Sequence, residues 1–187
     1  MIKLIGLYSS AAQSGKSTVS RELELRGFVR VPFAEPLKLM VGALLVEVGR
    51  TPGEVRWLLH EDKEEVLEEL GVSSRHLLQT LGTEWGRQCI SSDVWLKVWR
   101  ARASRYERVV VDDVRFENEA ELLRSLGGDV WRVQREGVAN LSTHASEGGL
   151  DAWPHFSRYI TNNGTLGQLK DAIAAIPLGE DGADPPR

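Results

Sequence analysis

The chain has 187 residues, 42% of them hydrophobic and 27% charged, a balance ordinary for one soluble globular domain with a real core. A formal net charge of −4 argues against a polyanion-binding surface, so nucleic acid is not an expected partner. The single cysteine, Cys89, excludes an internal disulfide and a cysteine-cluster zinc site, and the apolar run in MIKLIGLYSS is too short for a signal peptide or a membrane span, so a cytoplasmic protein with no membrane attachment is expected.

Along the chain, strands and helices alternate. IKLIGLY reads as a buried strand and Lys16 to about Arg26 as the helix after it. FVRVPF reads as a second strand, followed by a long, mainly helical insert from about Leu37 to Arg105. ERVVVDD, rich in β-branched residues, is a third strand. Phe116, Ala120, Leu123 and Leu126 then recur at helical spacing. DVWRVQ is a fourth strand and RYIT a short fifth, and Leu166, Leu169, Ile173 and Ile176 mark a closing helix. PLGEDGADPPR, residues 177–187, is rich in Pro, Gly and Asp and is expected to be a disordered tail. This order predicts a single α/β domain over residues 1–176, a five-stranded parallel sheet with helices on both faces. Ligands of such sheets bind at the carboxyl ends of the strands.

SSAAQSGKST, Ser9 to Thr18, lies between the first strand and the first helix, where a phosphate-binding loop belongs. Backbone N–H groups from Ala12, Gln13, Ser14, Gly15, Lys16, Ser17 and Thr18 are expected to point at phosphate oxygens. Lys16 would reach the β- and γ-phosphates, and the Ser17 hydroxyl would ligate Mg²⁺. The pattern has a glycine where this chain has Ser10; a serine serves there if its φ is negative. The loop alone does not separate kinases, motors, switches and transporters.

RHLLQTLGTEWGR carries the second signal. With Arg75 at zero on a helical wheel, Gln79, Thr83 and Arg87 fall near about 40°, 80° and 120°, opposite Leu77, Leu78, Leu81 and Trp85. Two arginines, an amide and a hydroxyl in line suit a phosphate and a base edge, although a solvated face has the same pattern. Gly82 would permit close ligand approach, and Ser92 reads as the N-cap of the next helix, which carries Trp95. Further on, Asp112 and Asp113 end the third strand, placed to hold Mg²⁺ through water or to accept a proton. Arg115 is placed to neutralise phosphate charge. The polar, glycine-bearing stretch at about 136–150, with Arg132 and Arg135 before it and His144 within it, has the composition of a mobile lid.

Together AEPLK, RHLLQTLGTE, DVRFENEA, VQREG, THASE and ITNNGTL resemble, in order, the deoxynucleoside monophosphate kinases of tailed bacteriophages, in the P-loop nucleotide-kinase superfamily. The resemblance implies a three-layer P-loop kinase fold with a helical substrate-binding insert and a lid. It implies transfer of the γ-phosphoryl of ATP, with Mg²⁺, to the 5′-phosphate of a dNMP. It favours Asp113 over Asp112, as the similar motif is Asp-x-Arg. Lys16, Asp113, Arg115 and Arg135 become the catalytic candidates. Phe33, Ala34, Lys38, Arg75, Gln79, Gly82, Thr83, Arg87 and Trp95 become the monophosphate pocket, and Arg132, His144 and Glu147 belong to the lid. Asn162 and Asn163 would lie by the adenine of ATP. A homodimer is compatible with the resemblance, though no residue argues for it. Two alternatives stay open: another small-molecule P-loop kinase, such as one acting on dephospho-coenzyme A, and a nucleotide switch, for which no guanine-reading Asn-Lys-x-Asp element is present.

Overall fold

The computed structural model describes residues 3–11, 13–137 and 149–178. In β1 (Lys3–Tyr8) all but the first residue are buried, which marks a strand covered on both faces. Its alternation sends Leu4 and Tyr8 into one core and Ile5 and Leu7 into the other. Helix α1 (Lys16–Leu25) brings Val19 and Leu23 to the second core, and β2 (Val29–Arg30) follows at the sheet edge. The second strand is shorter than FVRVPF predicts. Val31 still donates to Val110 O at 2.9 Å, but Pro32 has no N–H to continue the ladder.

The insert holds α2 (Glu35–Glu47), α3 (Pro52–His60), the hairpin of β3 (Val66–Leu67) and β4 (Val72–Ser73), α4 (Ser74–Thr80) and α5 (Val94–Ala103). Val41, Leu45, Leu58, Leu59 and Leu67 give it a small core of its own. The hairpin is absent from the sequence reading because two-residue strands are too short to show alternation.

The core resumes with β5 (Arg108–Val111), α6 (Glu117–Ser125), β6 (Asp129–Gln134), β7 (Arg158–Thr161) and α7 (Leu166–Ala174). The five-stranded sheet runs β2-β5-β1-β6-β7, and every pairing is parallel, as expected from the alternation. Helices cover both faces: α6 packs on the Leu4 side with Leu123, and α1 and α7 pack on the Ile5 side. Among the described residues no helix is long and apolar enough to cross a membrane.

One local departure shapes the insert. The helix over Arg75–Arg87 does not break at Gly82 but widens into a π-helical segment, Leu81–Ile90. A wheel at about 3.6 residues per turn therefore stops applying there. Two glycines allow the wide turn to press on α5: the Trp95 indole donates to Gly82 O at 2.8 Å, and a Cβ on Gly86 would lie 2.4 Å from Trp95 Nε1. Trp95 is held between the two helices and is 4% exposed. Gly86→Ala is accordingly expected to destabilise the fold by about 1–3 kcal/mol, as overpacking does. A lowered urea midpoint with an unchanged m-value is the measurement.

Candidate active site

The phosphate loop leaves β1 at its carboxyl end. Among its described residues, Gln13 (φ 56°) and Gly15 (φ 104°) are left-handed and Ser10 is not. Ser9 organises the turn, its hydroxyl donating to Ala11 O at 2.9 Å and accepting from Ala11 N at 3.2 Å. Gly15 is needed for space as well as for φ, since a Cβ there would lie 2.6 Å from Asn162 Nδ2. Asn162 in turn donates to Ser14 O at 2.9 Å and so braces the loop from the β7–α7 turn. Gly15 caps α1, its carbonyl accepting from Thr18 and Val19 at 3.0 and 3.1 Å. Lys16 Nζ lies 3.5 Å from Ser9 O. Ser17 is in the first turn of α1.

A cleft of about 470 Å³ opens between this loop and Arg135, Asn162 and Leu166. Asn163 lies beside it, accepting from Glu136 N at 2.9 Å. Arg132 points elsewhere: its guanidinium bonds Asp151, which also accepts from the Tyr8 hydroxyl at 2.9 Å. Ala12, His144 and Glu147 lie outside the described residues, as does most of the lid stretch.

At the end of β5 the two aspartates have different neighbours. Asp113 accepts from the backbone N–H of Phe33 and of Ala34, both at 2.8 Å, and thereby fixes where α2 begins. Burial, then the neighbouring Asp112 charge, pushes the Asp113 pKa up, against the pull of those two N–H groups. Asp112 pairs with Arg30 at 2.6 Å through one oxygen, while its Oδ1 is buried with no hydrogen-bond partner. The available donors are thus carboxylate and hydroxyl oxygens, the hard ligands Mg²⁺ takes. Among the described residues no cluster of three or more His, Cys, Asp or Glu side chains forms, and an ion shared with substrate phosphates needs none.

Facing them is a group of cations. Lys38 on α2 has its Nζ 3.4 Å from His60 Nδ1 at the end of α3. Lys63, in the next turn, is depressed in pKa by burial and then by the charges of Lys38, Arg75 and Arg115. Burial, Lys38 and Lys63 likewise push His60 down. Ser74, fully buried, ties this turn to α4 by donating to Lys63 O at 3.3 Å, and Arg75 N donates to the same carbonyl at 2.9 Å. Arg75 is ion-paired with Glu64. Gln79 and Thr83 are half-buried further along the same helix. Lys63 and His60 escaped the sequence reading. The available signal was one lysine set in HEDKEEVLEE, whose carboxylates mask it by composition.

Arg87 turns toward α6 instead of continuing the line of Gln79 and Thr83. Its Nη2 is 2.6 Å from Glu119, and its guanidinium lies 4.0 Å from the centre of the Phe116 ring. Glu119 is 2% exposed. Burial raises its pKa to about 7, although Arg87 and the N–H groups of Arg115 and Phe116 pull it down.

A strand–loop–helix phosphate cradle on a parallel sheet, with a helical insert beside it, defines a P-loop kinase fold. Solved structures agree on that fold: TT1252 from Thermus thermophilus has a TM-score of 0.53 at 17% identity over 93% of this chain and 95% of its own. Dephospho-CoA kinase from Campylobacter jejuni has a TM-score of 0.50 at 13% identity over the same shares. The family model for deoxynucleotide monophosphate kinase matches residues 54–173, and the chain belongs to that family. A protein of Acanthamoeba polyphaga mimivirus assigned to deoxynucleotide monophosphate kinases is 29% identical over 91% of this chain and 93% of its own. The deoxynucleoside-5′-monophosphate kinase of Escherichia phage T5 is 36% identical over 56% of this chain, a stretch that spans 44% of that enzyme.

The Glu119 shift sets a pH dependence. Between its ordinary value of 4.5 and about 7, the folded chain holds a proton that the unfolded chain has released. The contribution is therefore fully present below about pH 4.5 and is lost as pH rises through about 7. Glu119→Gln does not titrate, so its stability relative to the parent is expected to increase from about pH 5 to about pH 8 in paired urea unfolding curves.

Proposed function

We propose that this protein transfers the γ-phosphoryl of ATP to the 5′-phosphate of a deoxynucleoside monophosphate, giving ADP and dNDP for DNA precursor supply in the cytoplasm. The observation that carries this reading is the gathering of Lys38, Lys63, Arg75 and Arg115, in which Lys63 is half-buried and feels the charge of the other three, beside a phosphate loop on the same sheet. Such a concentration of positive charge suits a dianionic monophosphate brought up to a triphosphate.

In this reading ATP lies on Gln13–Thr18, with its base toward Asn162 and Leu166. The acceptor phosphate lies among Lys38, Lys63, Arg75 and Arg115, and Gln79 and Thr83 offer hydrogen bonds to its base. An acceptor phosphate already ionised near neutral pH needs little general-base help, so positioning and charge stabilisation dominate. Lys16 and Arg115 neutralise the transferring group, and Arg135, lining the donor cleft, joins them from the lid side. Asp113 anchors the start of α2 and so places Lys38. Ser17 and the Asp112–Asp113 pair are the groups that would hold Mg²⁺, which when bound supplies charge neutralisation across the β- and γ-phosphates.

The likeness to dephospho-CoA kinase is one of fold. The family match, residues 54–173, takes in Lys63, Arg75 and the Asp-x-Arg turn, so it favours the deoxynucleotide acceptor. A coupled ADP-release assay with dNMPs, NMPs and dephospho-coenzyme A is expected to show turnover stimulated by dNMPs. Stimulation by dephospho-coenzyme A alone would overturn the reading. Lys63→Met is expected to raise the dNMP KM by ~10-fold or more, with the ATP KM within about twofold, as loss of one charged phosphate contact would do. An unchanged dNMP KM would remove Lys63 from the acceptor site.

A further inference from the structure

The Arg87–Glu119 contact crosses the boundary between the insert and the core. Glu119 sits in the first turn of α6 and uses both oxygens. Oε2 accepts from Arg115 N at 2.9 Å and Phe116 N at 3.1 Å; Oε1 accepts from Arg87 Nη2 at 2.6 Å. The Phe116 bond is the N3 half of a capping box, since the phenylalanine at the N-cap has no oxygen to return the other half; two other helices of this fold carry the full box. Those boxes use exposed residues, Glu54 on α3 and Gln168 on α7. Capping thus needs no burial, and a carboxylate taken out of water is unfavourable unless it is paired. Among the described residues the charge partner is Arg87, and the guanidinium it brings also stacks on Phe116, the neighbour of Arg115. Arg87 accepts a further penalty to be there, since its Nη1 is buried with no hydrogen-bond partner.

We infer that Glu119 is a positioning residue: it clamps the Asp113–Phe116 turn to the π-helical segment, so that Arg115 is aligned by the same element that binds the monophosphate. The geometry is that of a joint. Gln79, Thr83 and Arg87 lie on one continuous helix, and Arg115 and Phe116 lie on one turn. A buried carboxylate connects the helix to the turn, and the Arg87 guanidinium it holds lies on the Phe116 ring. A substrate that shifts the insert is felt at Arg115 without touching it. The inference rests on the phosphate-neutralising role of Arg115 proposed above.

The test is a kinetic double-mutant cycle on the full chain with Arg87→Met, Glu119→Gln and the pair combined, with Arg115→Met as reference. Each single substitution is expected to lower kcat by about 10-fold or more, with the ATP KM within about twofold. The double variant is expected to lose no more than either single one, because the joint is broken once. Arg87→Lys, which keeps the charge but not the fork, is expected to retain more kcat than Arg87→Met and provides a folded readout should Glu119→Gln fail to fold. Multiplicative losses of about 100-fold in the double variant overturn the joint, as does parental kcat in a folded Glu119→Gln protein. Equal kcat in the Lys and Met variants overturns it too. A changed ranking of the four dNMPs in Glu119→Gln also overturns it, because that would place Glu119 on the base. Parental kcat in Arg115→Met defeats the role of Arg115 itself, whereas a crippled Arg115→Met beside a normal Glu119→Gln defeats the joint alone.

Discussion

The carboxylate of Asp113 holds the architecture of the site together. It lies at the carboxyl end of β5 and takes the backbone N–H groups of Phe33 and Ala34, the two residues before α2. Both amides lie beyond the second strand, which ends at Arg30, and follow Pro32, which cannot continue the ladder. The bond pair therefore satisfies orphaned donors and, by the same stroke, sets the angle at which the insert leaves the sheet. Lys38, four residues on from Ala34 along α2, inherits that angle, and with it the mutual placement of the cations. An uncharged residue at position 113 would satisfy the amides less well.

The field of these cations is the second constraint. Like charges gathered from α2, the turn after α3, α4 and the β5–α6 turn repel one another, and Lys63, its pKa lowered first by burial, is pushed further down by that repulsion. Glu64 answers Arg75, but no carboxylate among the described residues pairs with Lys63. In the proposed function, the acceptor phosphate is the group that would answer this charge. Rigidity around the group lets it persist. Ser74 and the Arg75 amide both hold the Lys63 carbonyl, and the hairpin of β3 and β4 closes the loop that carries it.

Some of this was legible in linear order. The buried first strand, the loop after it and the β-branched third strand are local patterns, and DVWRVQ and RYIT coincide with β6 and β7 residue for residue. Gly15 was legible as a glycine requirement, but for part of the reason only: the phosphate side was evident, while the clash with Asn162, 147 positions away, belongs to tertiary structure. The line of Arg75, Gln79, Thr83 and Arg87 was drawn on a regular helix. The π-helical turn bends that line at Leu81, because Gly82 and Gly86 admit the Trp95 ring, and Arg87 ends on Glu119. Nothing in the spacing of RHLLQTLGTEWGR announces a wider turn, since its cause is a tryptophan on another helix.

By itself, then, the sequence determined the parallel sheet, the position of the phosphate loop and the chemical types gathered in the insert, because these depend on periodicity, β-branching and glycine within a few residues. Tertiary structure alone decided which charges meet. Lys63 and His60 join the cationic group through the packing of α2 and α3, Asp113 turns its oxygens to backbone amides, and Glu119 becomes the buried partner of Arg87. Charge interactions act through space and depend on burial. Residues far apart in the chain set their strength, and only the folded molecule brings those residues within reach.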